Sequence, residues 1–439
     1  MSATAVILAA GQGTRMKSSL PKVMHRIAGR PMLRHLLASC EAVFDRIVVV
    51  VGPGMEAVAK IAAPHACVVQ TERLGTAHAA LQAEALFGAC EVAVLYGDNP
   101  LITAATLRRL LARRQAGDAG LALLAMRPGD PARYGRVVAE GGFVERIVEY
   151  KDASPDERAI GLCNAGVLCA DSVRMRDWLR GVSDENEARE FYLTDVVVQA
   201  RAAGALVAAV EAPEAELRGI NSRAELALAE ATVQGWLRAA AMEAGVTLTA
   251  PETVFLSADT VFEPDVTVGP HVVFGPGVTV RSGADIRPFS HLEGCEVGPA
   301  SSVGPFARLR PGAVLGEDVH IGNFVEVKAA RLGAGVKAGH LSYIGDAEVG
   351  ARTNIGAGTI TCNYDGFAKH RTVIGADVFV GSDSVLVAPV SVGDGAFVTA
   401  GSVITGDVAA DEMAFGRARQ VGKPGAAAAF RAAHKKERG

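Results

Sequence analysis

Aromatic residues are scarce in this chain: Phe, Trp and Tyr make up 5% of its 439 residues, and the formal net charge is −4. Nucleic-acid recognition usually draws on a basic field and stacking rings, so no nucleic-acid partner is expected. Long apolar runs are missing too, which speaks against a transmembrane span and a membrane partner. The apolar start AVILAA has no basic segment before it and runs straight into glycines, so it reads as a first β-strand. Seven cysteines, Cys40, Cys67, Cys90, Cys163, Cys169, Cys295 and Cys362, form an odd set without a C-x-x-C pair. That pattern argues against a zinc site or a disulfide framework and fits a reducing, cytoplasmic setting. The short basic run HKKERG at the C-terminus reads as a solvated tail.

What is present describes a soluble globular protein, with 49% hydrophobic and 21% charged residues. At about 100–200 residues per domain, the length implies two or three units. Near the N-terminus, ILAAGQGTRMKSSLPKV (7–23) looks like a phosphate loop while failing two templates. The dinucleotide fingerprint G-x-G-x-x-G and the Walker A loop both need glycine where Met16 stands. A tight turn after a buried strand would use Gly11 and Gly13 without any ligand. Local spacing leaves that choice open.

Through about residue 220, β-rich runs such as TAVILAA, RIVVVV and VAVLYGD alternate with helical patterns such as PMLRHLLASCEAV, TAHAALQAEALF and TLRRLLARR. That alternation predicts a mostly parallel sheet covered by helices. RVVAEGGFVERIVE (136–149) reads as a hairpin turning at Gly141 and Gly142. From Arg223 to Ala244 the pattern is one amphipathic helix, entered through a Ser222-x-x-Glu225 capping box and stopped by Gly245.

Beyond residue 250 the texture turns to Val, Gly, Pro and Asp, and a period of six appears. Val297, Val303, Leu309, Leu315, Ile321 and Val327 form one run, and Ile374, Val380, Leu386, Val392, Val398 and Ile404 another. An earlier run holds Val268, Phe274, Val280, Ile286 and Leu292. At the whole-chain apolar frequency, twelve hits in the two cleanest runs have a chance of roughly 2 in 10,000, so a repeat is the better explanation. Six residues per period predict a hexapeptide β-helix, in which each short strand turns one aliphatic inward and three strands make a coil. Flat prisms of this kind favour cyclic oligomers. The period fails between Thr361 and Val373, where TCNYDGFAKHRTV interrupts it, and such loops tend to carry function.

Six stretches then point to a family: LAAGQGTRM with Pro21-Lys22, QTERLGTAH, YGDNP, VEYKDA, AGHLSYIGDAEVG and NIGAGTITCNYDG. On these, and over essentially its whole length, the chain resembles the bacterial GlmU family of bifunctional N-acetylglucosamine-1-phosphate uridylyltransferases and glucosamine-1-phosphate acetyltransferases. The resemblance implies a Rossmann-like α/β nucleotidyltransferase domain (1–222), a connecting helix (223–245), and a left-handed parallel β-helix with a C-terminal tail (246–439). The left hand comes from the family, since ordinary crossovers favour the opposite one. Ala77 and Ala165 stand where the family more often has Gly and Ser or Thr, and Asn99 replaces its usual Val, Thr or Met.

By the same resemblance, Leu8, Ala9, Ala10 and Gly11 contact UTP, with Tyr96 and Gly97 beside them. Gln70, Gly75 and Thr76 hold uracil and ribose, and Gly135, Glu149, Asn164 and Asn221 hold the sugar. Arg15 and Lys22 neutralise the triphosphate during in-line attack, while Asp98 and Asn221 ligate Mg²⁺. Asn221 has a rival reading as the start of a helix cap. In the repeat half, His340 is the general base, with Glu326 to orient or polarise it. Arg310 and Lys328 take the sugar phosphate, and Tyr343 and Asn354 the amino sugar. Asn363, Tyr364 and Lys369 complete the acetyl-CoA pocket, shared with a neighbouring subunit, and Ala357, Ser382, Ala400 and Arg417 lie along the coenzyme A groove. The implied protein is a cytoplasmic homotrimer that uses glucosamine 1-phosphate, acetyl-CoA, N-acetylglucosamine 1-phosphate and UTP to make UDP-N-acetylglucosamine for the cell wall and glycolipids. Two rivals stand beside it: a single-activity nucleotide-sugar pyrophosphorylase with a structural β-helix, and a regulatory scaffold that senses nucleotide without reacting.

Overall fold

The computed structural model describes residues 2–131, 134–186 and 188–434; positions 435–439 of the basic tail lie outside the described residues. The chain divides into two compact units, Met1–Trp236 and Leu237–Gly439. No helix among the described residues is long and apolar enough to cross a membrane.

The first unit is built on a nine-stranded sheet. Valine and leucine runs form its centre because branched side chains suit a pleat buried on both faces. Ala3–Leu8 lies between Arg46–Val51 and Glu91–Tyr96, parallel to both, with Leu8 level with Val50 and Tyr96. Cys163–Asp171 departs from the βα alternation: it runs antiparallel between Glu91–Tyr96 and Leu121–Met126. The hairpin forms from Arg136–Glu140 and Phe143–Val148. Gly141 and Gly142, at φ 60° and 87°, give the two left-handed residues that its tight turn requires. Helices cover the sheet; Met32–Glu41 turns Leu33, Leu36, Leu37 and Cys40 inward at helical spacing.

The long helix is Arg223–Glu243. Its cap differs from the expected box by one residue: Ser222 Oγ accepts from Glu225 N at 3.2 Å, but the Glu225 carboxylate takes the N–H of Asn221 at 2.7 Å. At the other end Val246 N bonds Ala241 O and Gly245 N bonds Met242 O, both at 3.1 Å, closing a Schellman turn through Gly245 at φ 91°.

The second unit is a coil of short strands in three parallel sheets of ten, eight and eight. Backbone groups of a two-residue strand can be paired only by the coils before and after it. Val303 accordingly sits level with Ile286 below and Ile321 above. Every aliphatic of the two cleanest six-residue runs is buried: the run from Val297 to Val327 is at most 2% exposed and that from Ile374 to Ile404 at most 6%. Strand Ile360–Cys362 is separated from Thr372–Ile374 by the interrupting loop. One corner carries a file of left-handed residues, His271, Phe289, Phe306, Phe324 and Leu341, all with φ between 55° and 62°. Leu309, fully buried within the coil, tests this packing: Leu309→Ala should lower the unfolding free energy of the repeat unit by about 2–5 kcal/mol in denaturant titration.

Candidate active sites

A cleft of about 830 Å³ opens at the C-terminal ends of Ala3–Leu8 and Glu91–Tyr96, where open α/β sheets bind ligands. Leu8, Ala9, Ala10, Gly11, Arg15 and Lys22 are on its lining, as are Gln70, Gly75, Thr76, Tyr96, Asp98, Glu149 and Asn221. The glycine segment leads into a single 3₁₀ turn, Thr14–Met16, and Met16 is buried. Neither phosphate-loop template applies, because the position they reserve for glycine is a core side chain here. A Cβ at Gly11 would point into open space, whereas one at Gly13 (φ 64°) would lie 2.5 Å from Lys22 Cβ. Gly13 therefore lets Lys22 pack under the turn.

Lys22 Nζ bonds Asp98 Oδ2 and reaches Asn221 Oδ1 at 3.0 Å; Arg15 adds a bond to the same Asn221 oxygen at 2.8 Å. Ile220 N donates to Asp98 O at 2.9 Å and draws Asn221 to that strand end. The cap and cleft readings of Asn221 coexist: its backbone N–H serves the cap and its side chain faces the cations. A carboxylate and a carboxamide oxygen gathered around one ammonium form the hard-oxygen pair that Mg²⁺ accepts when substrate oxygens complete its shell.

Gly75, at φ 124°, is glycine because the chain 190–195 lies against it: an added Cβ would sit 2.5 Å from Phe191 O. Phe191 N bonds Leu74 O at 2.8 Å, Ala77 N bonds Phe191 O at 2.9 Å, and Leu193 N bonds Thr76 Oγ1 at 2.8 Å. Thr194 then reaches Glu149 at 3.4 Å. Burial, aided by Asp152 and Asp195, holds the Glu149 carboxyl above its ordinary range despite Thr194.

Gly97, Gly135 and Asn164 stand one layer behind the lining. Gly97 N bonds Leu8 O at 2.9 Å, and Asn164 N bonds Gly135 O at 2.8 Å. Ala77 is buried in the helix Thr76–Leu81, and Asn99 ties Ala165 O and Leu217 O at 3.2 and 2.8 Å. None of these three departures, Ala77, Asn99 or Ala165, lines the cleft. Arg73, Lys151, Glu190, Tyr192 and Thr194 do line it and were missed. Lys151 lies within VEYKDA, but the segment 190–195 carries no motif; the glycine at 75 was its only trace.

In the coil, strand register lines up the second set. Ala338 pairs with Ile355, Ile355 with Val380, and Val380 with Val398. Two residues on, His340, Ala357, Ser382 and Ala400 therefore follow one another along one corner, one per coil. Arg417 lies past the end of that file, its Cδ 3.7 Å from the Cβ position of Gly401. A neighbouring face gathers Lys328, Tyr343, Asn363 and Lys369 around Asp346, with Arg310 acting on Lys369 from the side. Lys328 Nζ reaches Asp346 at 3.1 Å, and Asn363 bonds the same oxygen and, at 3.4 Å, Tyr343 Oη. The Asp346 carboxylate, paired with it, favours the ammonium form of Lys328. Burial pushes the Asp346 carboxyl up, but Lys328, Asn363 and Lys369 outweigh it and bring it below the usual range. Asn354 lies level with Lys337 and Phe379, and Tyr364 bridges to Lys369 across the loop.

Glu326 requires a correction. Its carboxylate pairs with Arg310 at 2.7 Å and Arg308 at 3.6 Å, and among the described residues it makes no bond to His340. Two fixed guanidiniums, of Arg310 and Arg308, already satisfy this carboxylate. Asp346, inside AGHLSYIGDAEVG, was the anchor that sequence reasoning missed.

Residues 5–192 match the family model of the MobA-like NTP transferase domain, and 371–406 that of the bacterial transferase hexapeptide repeat. Three relatives carry the name bifunctional protein GlmU. That of Gluconacetobacter diazotrophicus is 68% identical across 100% of this chain and 96% of its own. Those of Acidiphilium cryptum and Granulibacter bethesdensis are 64% and 66% identical, each over 98% of this chain, covering 98% and 96% of theirs. The chain belongs to the GlmU family. It is a bifunctional enzyme of UDP-N-acetylglucosamine synthesis, with a uridylyltransferase and an acetyltransferase activity. Its coil is the left-handed parallel β-helix of hexapeptide transferases.

For this GlmU family member, Gly75→Ala should raise the KM for UTP at least about tenfold, since the Cβ must displace the 191 backbone or strain φ. Acetylation should be untouched; a wild-type KM for UTP would refute the packing role of Gly75. Glu149 gives a pH test. A raised carboxyl pKa means the accepting carboxylate is lost at a higher pH than for an ordinary Glu. Uridylylation at low sugar phosphate should therefore fall on acidification earlier than an ordinary Glu would dictate, and Glu149→Gln should remove that limb. Comparing the two profiles cancels the ionisation of the substrate's own phosphate.

Proposed function

We propose that the two activities divide between the two clusters, one in each unit. In the first, a phosphate oxygen of N-acetylglucosamine 1-phosphate attacks the α-phosphorus of UTP, forming the new P–O bond as pyrophosphate leaves. Leu8 to Gly11 hold the nucleotide close to backbone, with Gly11 keeping the space beside the phosphates free. Arg15 and Lys22 neutralise charge that grows on the phosphate oxygens and the leaving group. Asp98 and Asn221 would hold Mg²⁺, which when bound supplies further neutralisation of those oxygens. Lys22, already shared between Asp98 and Asn221, stands ready to turn to the triphosphate. Glu149 accepts from sugar hydroxyls, with Gly135 and Asn164 supporting the wall behind it.

In the second unit, the amine of glucosamine 1-phosphate attacks the thioester carbon of acetyl-CoA. His340 takes the proton from that nitrogen, and the C–S bond breaks to release coenzyme A as its thiol. The file His340, Ala357, Ser382, Ala400 favours this reading, because small residues beyond the imidazole leave a groove in which an extended pantetheine can lie. Arg310, Lys328 and Lys369 provide the positive field for the sugar phosphate, with Asp346 fixing Lys328. Glu326 acts through Arg310 rather than through His340.

We place the enzyme in the cytoplasm as a homotrimer. The cysteines are all free thiols. Support for association comes from the corner file: the His271, Phe289, Phe306 and Phe324 rings stack at 4.9, 4.9 and 5.4 Å and stay solvent-exposed in one chain.

The observation that carries the assignment is the physical separation of the two clusters into different units. His340→Ala should lower thiol release from acetyl-CoA by about 10²–10⁴-fold and leave pyrophosphate release unchanged. Lys22→Ala should do the reverse, costing at least about 10²-fold in uridylylation. Equal loss of both activities in either variant would refute the division.

A further inference from the structure

The described residues leave one polar network beside the nucleotide cleft that the mechanism does not use. It runs from Gln70 through His78 to Gln82, behind the base end of the cleft. Gln70 is 4% exposed and lines the cleft. Its Nε2 lies 3.1 Å from Gly75 O and 3.2 Å from His78 Nδ1. A backbone carbonyl only accepts, so the Gln70 atom facing Gly75 must be the amide nitrogen. Both N–H groups are then committed, one to Gly75 and one to the lone pair of His78 Nδ1. The remaining atom, Oε1, has no protein partner among the described residues and is the part of this amide left to face the cleft.

A neutral imidazole has one acceptor nitrogen. Gln82 Nε2 also lies 3.2 Å from His78 Nε2 and 3.1 Å from His78 O, so the two ring contacts cannot both be hydrogen bonds to a lone pair. Burial decides between them. Gln82 is half-exposed, so its amide can swing away from the ring, exchange its bond to His78 O for water, and leave His78 Nε2–H to solvent. Gln70 is buried and pinned by Gly75, and an unmet donor there costs more. His78 therefore keeps Nδ1 bare toward Gln70. Phe191, with its ring 6.5 Å from that of His78, belongs to the segment zipped onto Gly75 and helps hold the imidazole in place.

We infer that His78 is a specificity-determining residue acting through Gln70: it fixes the Gln70 amide with oxygen toward the base, so the site takes a pyrimidine carrying N3–H and rejects one with a bare N3. Uracil donates from N3 and meets Oε1. Cytosine presents an N3 lone pair, and two acceptors then face each other. The inference rests on the proposed reading that Gln70 holds the base.

The test compares UTP with CTP in the full-length enzyme, as the ratio of kcat/KM for pyrophosphate release. Wild type, His78→Leu, His78→Asn and Gln70→Leu are measured together, with thiol release from acetyl-CoA as a check on each preparation. His78→Leu should lower the UTP:CTP ratio by about tenfold or more, chiefly through the KM for UTP. His78→Asn, whose side-chain oxygen can replace the Nδ1 lone pair, should stay within about threefold of wild type. If His78→Leu does not fold, His78→Lys, a donor with no acceptor, answers the same question. An unchanged ratio in the His78 variants with a collapsed ratio in Gln70→Leu would overturn the role of His78 and leave the base reading standing. An unchanged ratio in Gln70→Leu would overturn the base reading itself. Equal damage from Leu and Asn at position 78 would also refute the inference, because the effect would then be loss of bulk rather than of an acceptor.

Discussion

Parallel strands held in fixed register underlie both active sites. A backbone amide removed from water must find a partner, and around Ala3–Leu8 in the sheet, as throughout the coil, that partner belongs to a strand running the same way one step across. In the sheet, the register that sets Leu8 level with Val50 and Tyr96 makes the strands end together. The loops that follow then emerge at one edge, where Gly11, Lys22 and Asp98 converge. In the coil, the same rule turns a distance in sequence into a distance along an axis. His340 and Ala357 are 17 residues apart, yet only one strand spacing, about 4.8 Å, separates their backbones. Neither site could be assembled by side-chain attraction alone, because each draws on segments scattered over a long stretch of chain.

Charge is handled differently on these two frames. The uridylyl site concentrates cations beside a partly buried carboxylate and shares them: Lys22 is bonded to Asp98 and Asn221, with Arg15 on the same amide oxygen. Such a cluster is partly neutralised at rest, and on the proposed mechanism an incoming triphosphate would compete with Asp98 for Lys22. The acetyl site spreads its cations over an open face, where Lys328 is tied to Asp346 and Arg310 to Glu326, with Lys369 alongside. Among the described residues His340 joins none of those ion pairs, which suits the base it is proposed to be.

Much of this was legible in the sequence, and the reasons are physical. The six-residue frame was visible because every coil must turn one aliphatic inward, so Val303 and Leu309 could be placed in the core from the period alone. The hairpin at Gly141-Gly142 was visible because few residues adopt two successive positive φ values. Most of the cleft followed from motifs that lie in continuous stretches, such as LAAGQGTRM. What stayed hidden was contact across long separations. Nothing near Glu326 announces that Arg310 and Arg308 will claim it, and nothing in EFYLTD (190–195) announces that it will lie along Gly75. The sheet's antiparallel member, Cys163–Asp171, was hidden for the same reason, since its hydrophobic pattern does not encode its direction.

The short strands of the coil carry a further implication for how such a chain can change. Because each turn, 17 or 18 residues long over most of the coil, is stacked only on its immediate neighbours, adding or removing a whole turn ahead of Val297 would lengthen or shorten a spacer and leave the downstream geometry in phase. Losing a single residue within a strand would instead rotate every later inward position to the outside until a corner absorbed the slip. Variation in length should therefore come in complete turns or be confined to corners and loops, and the shortened step from Leu292 to Val297 is a place where a corner has already taken up such a slip.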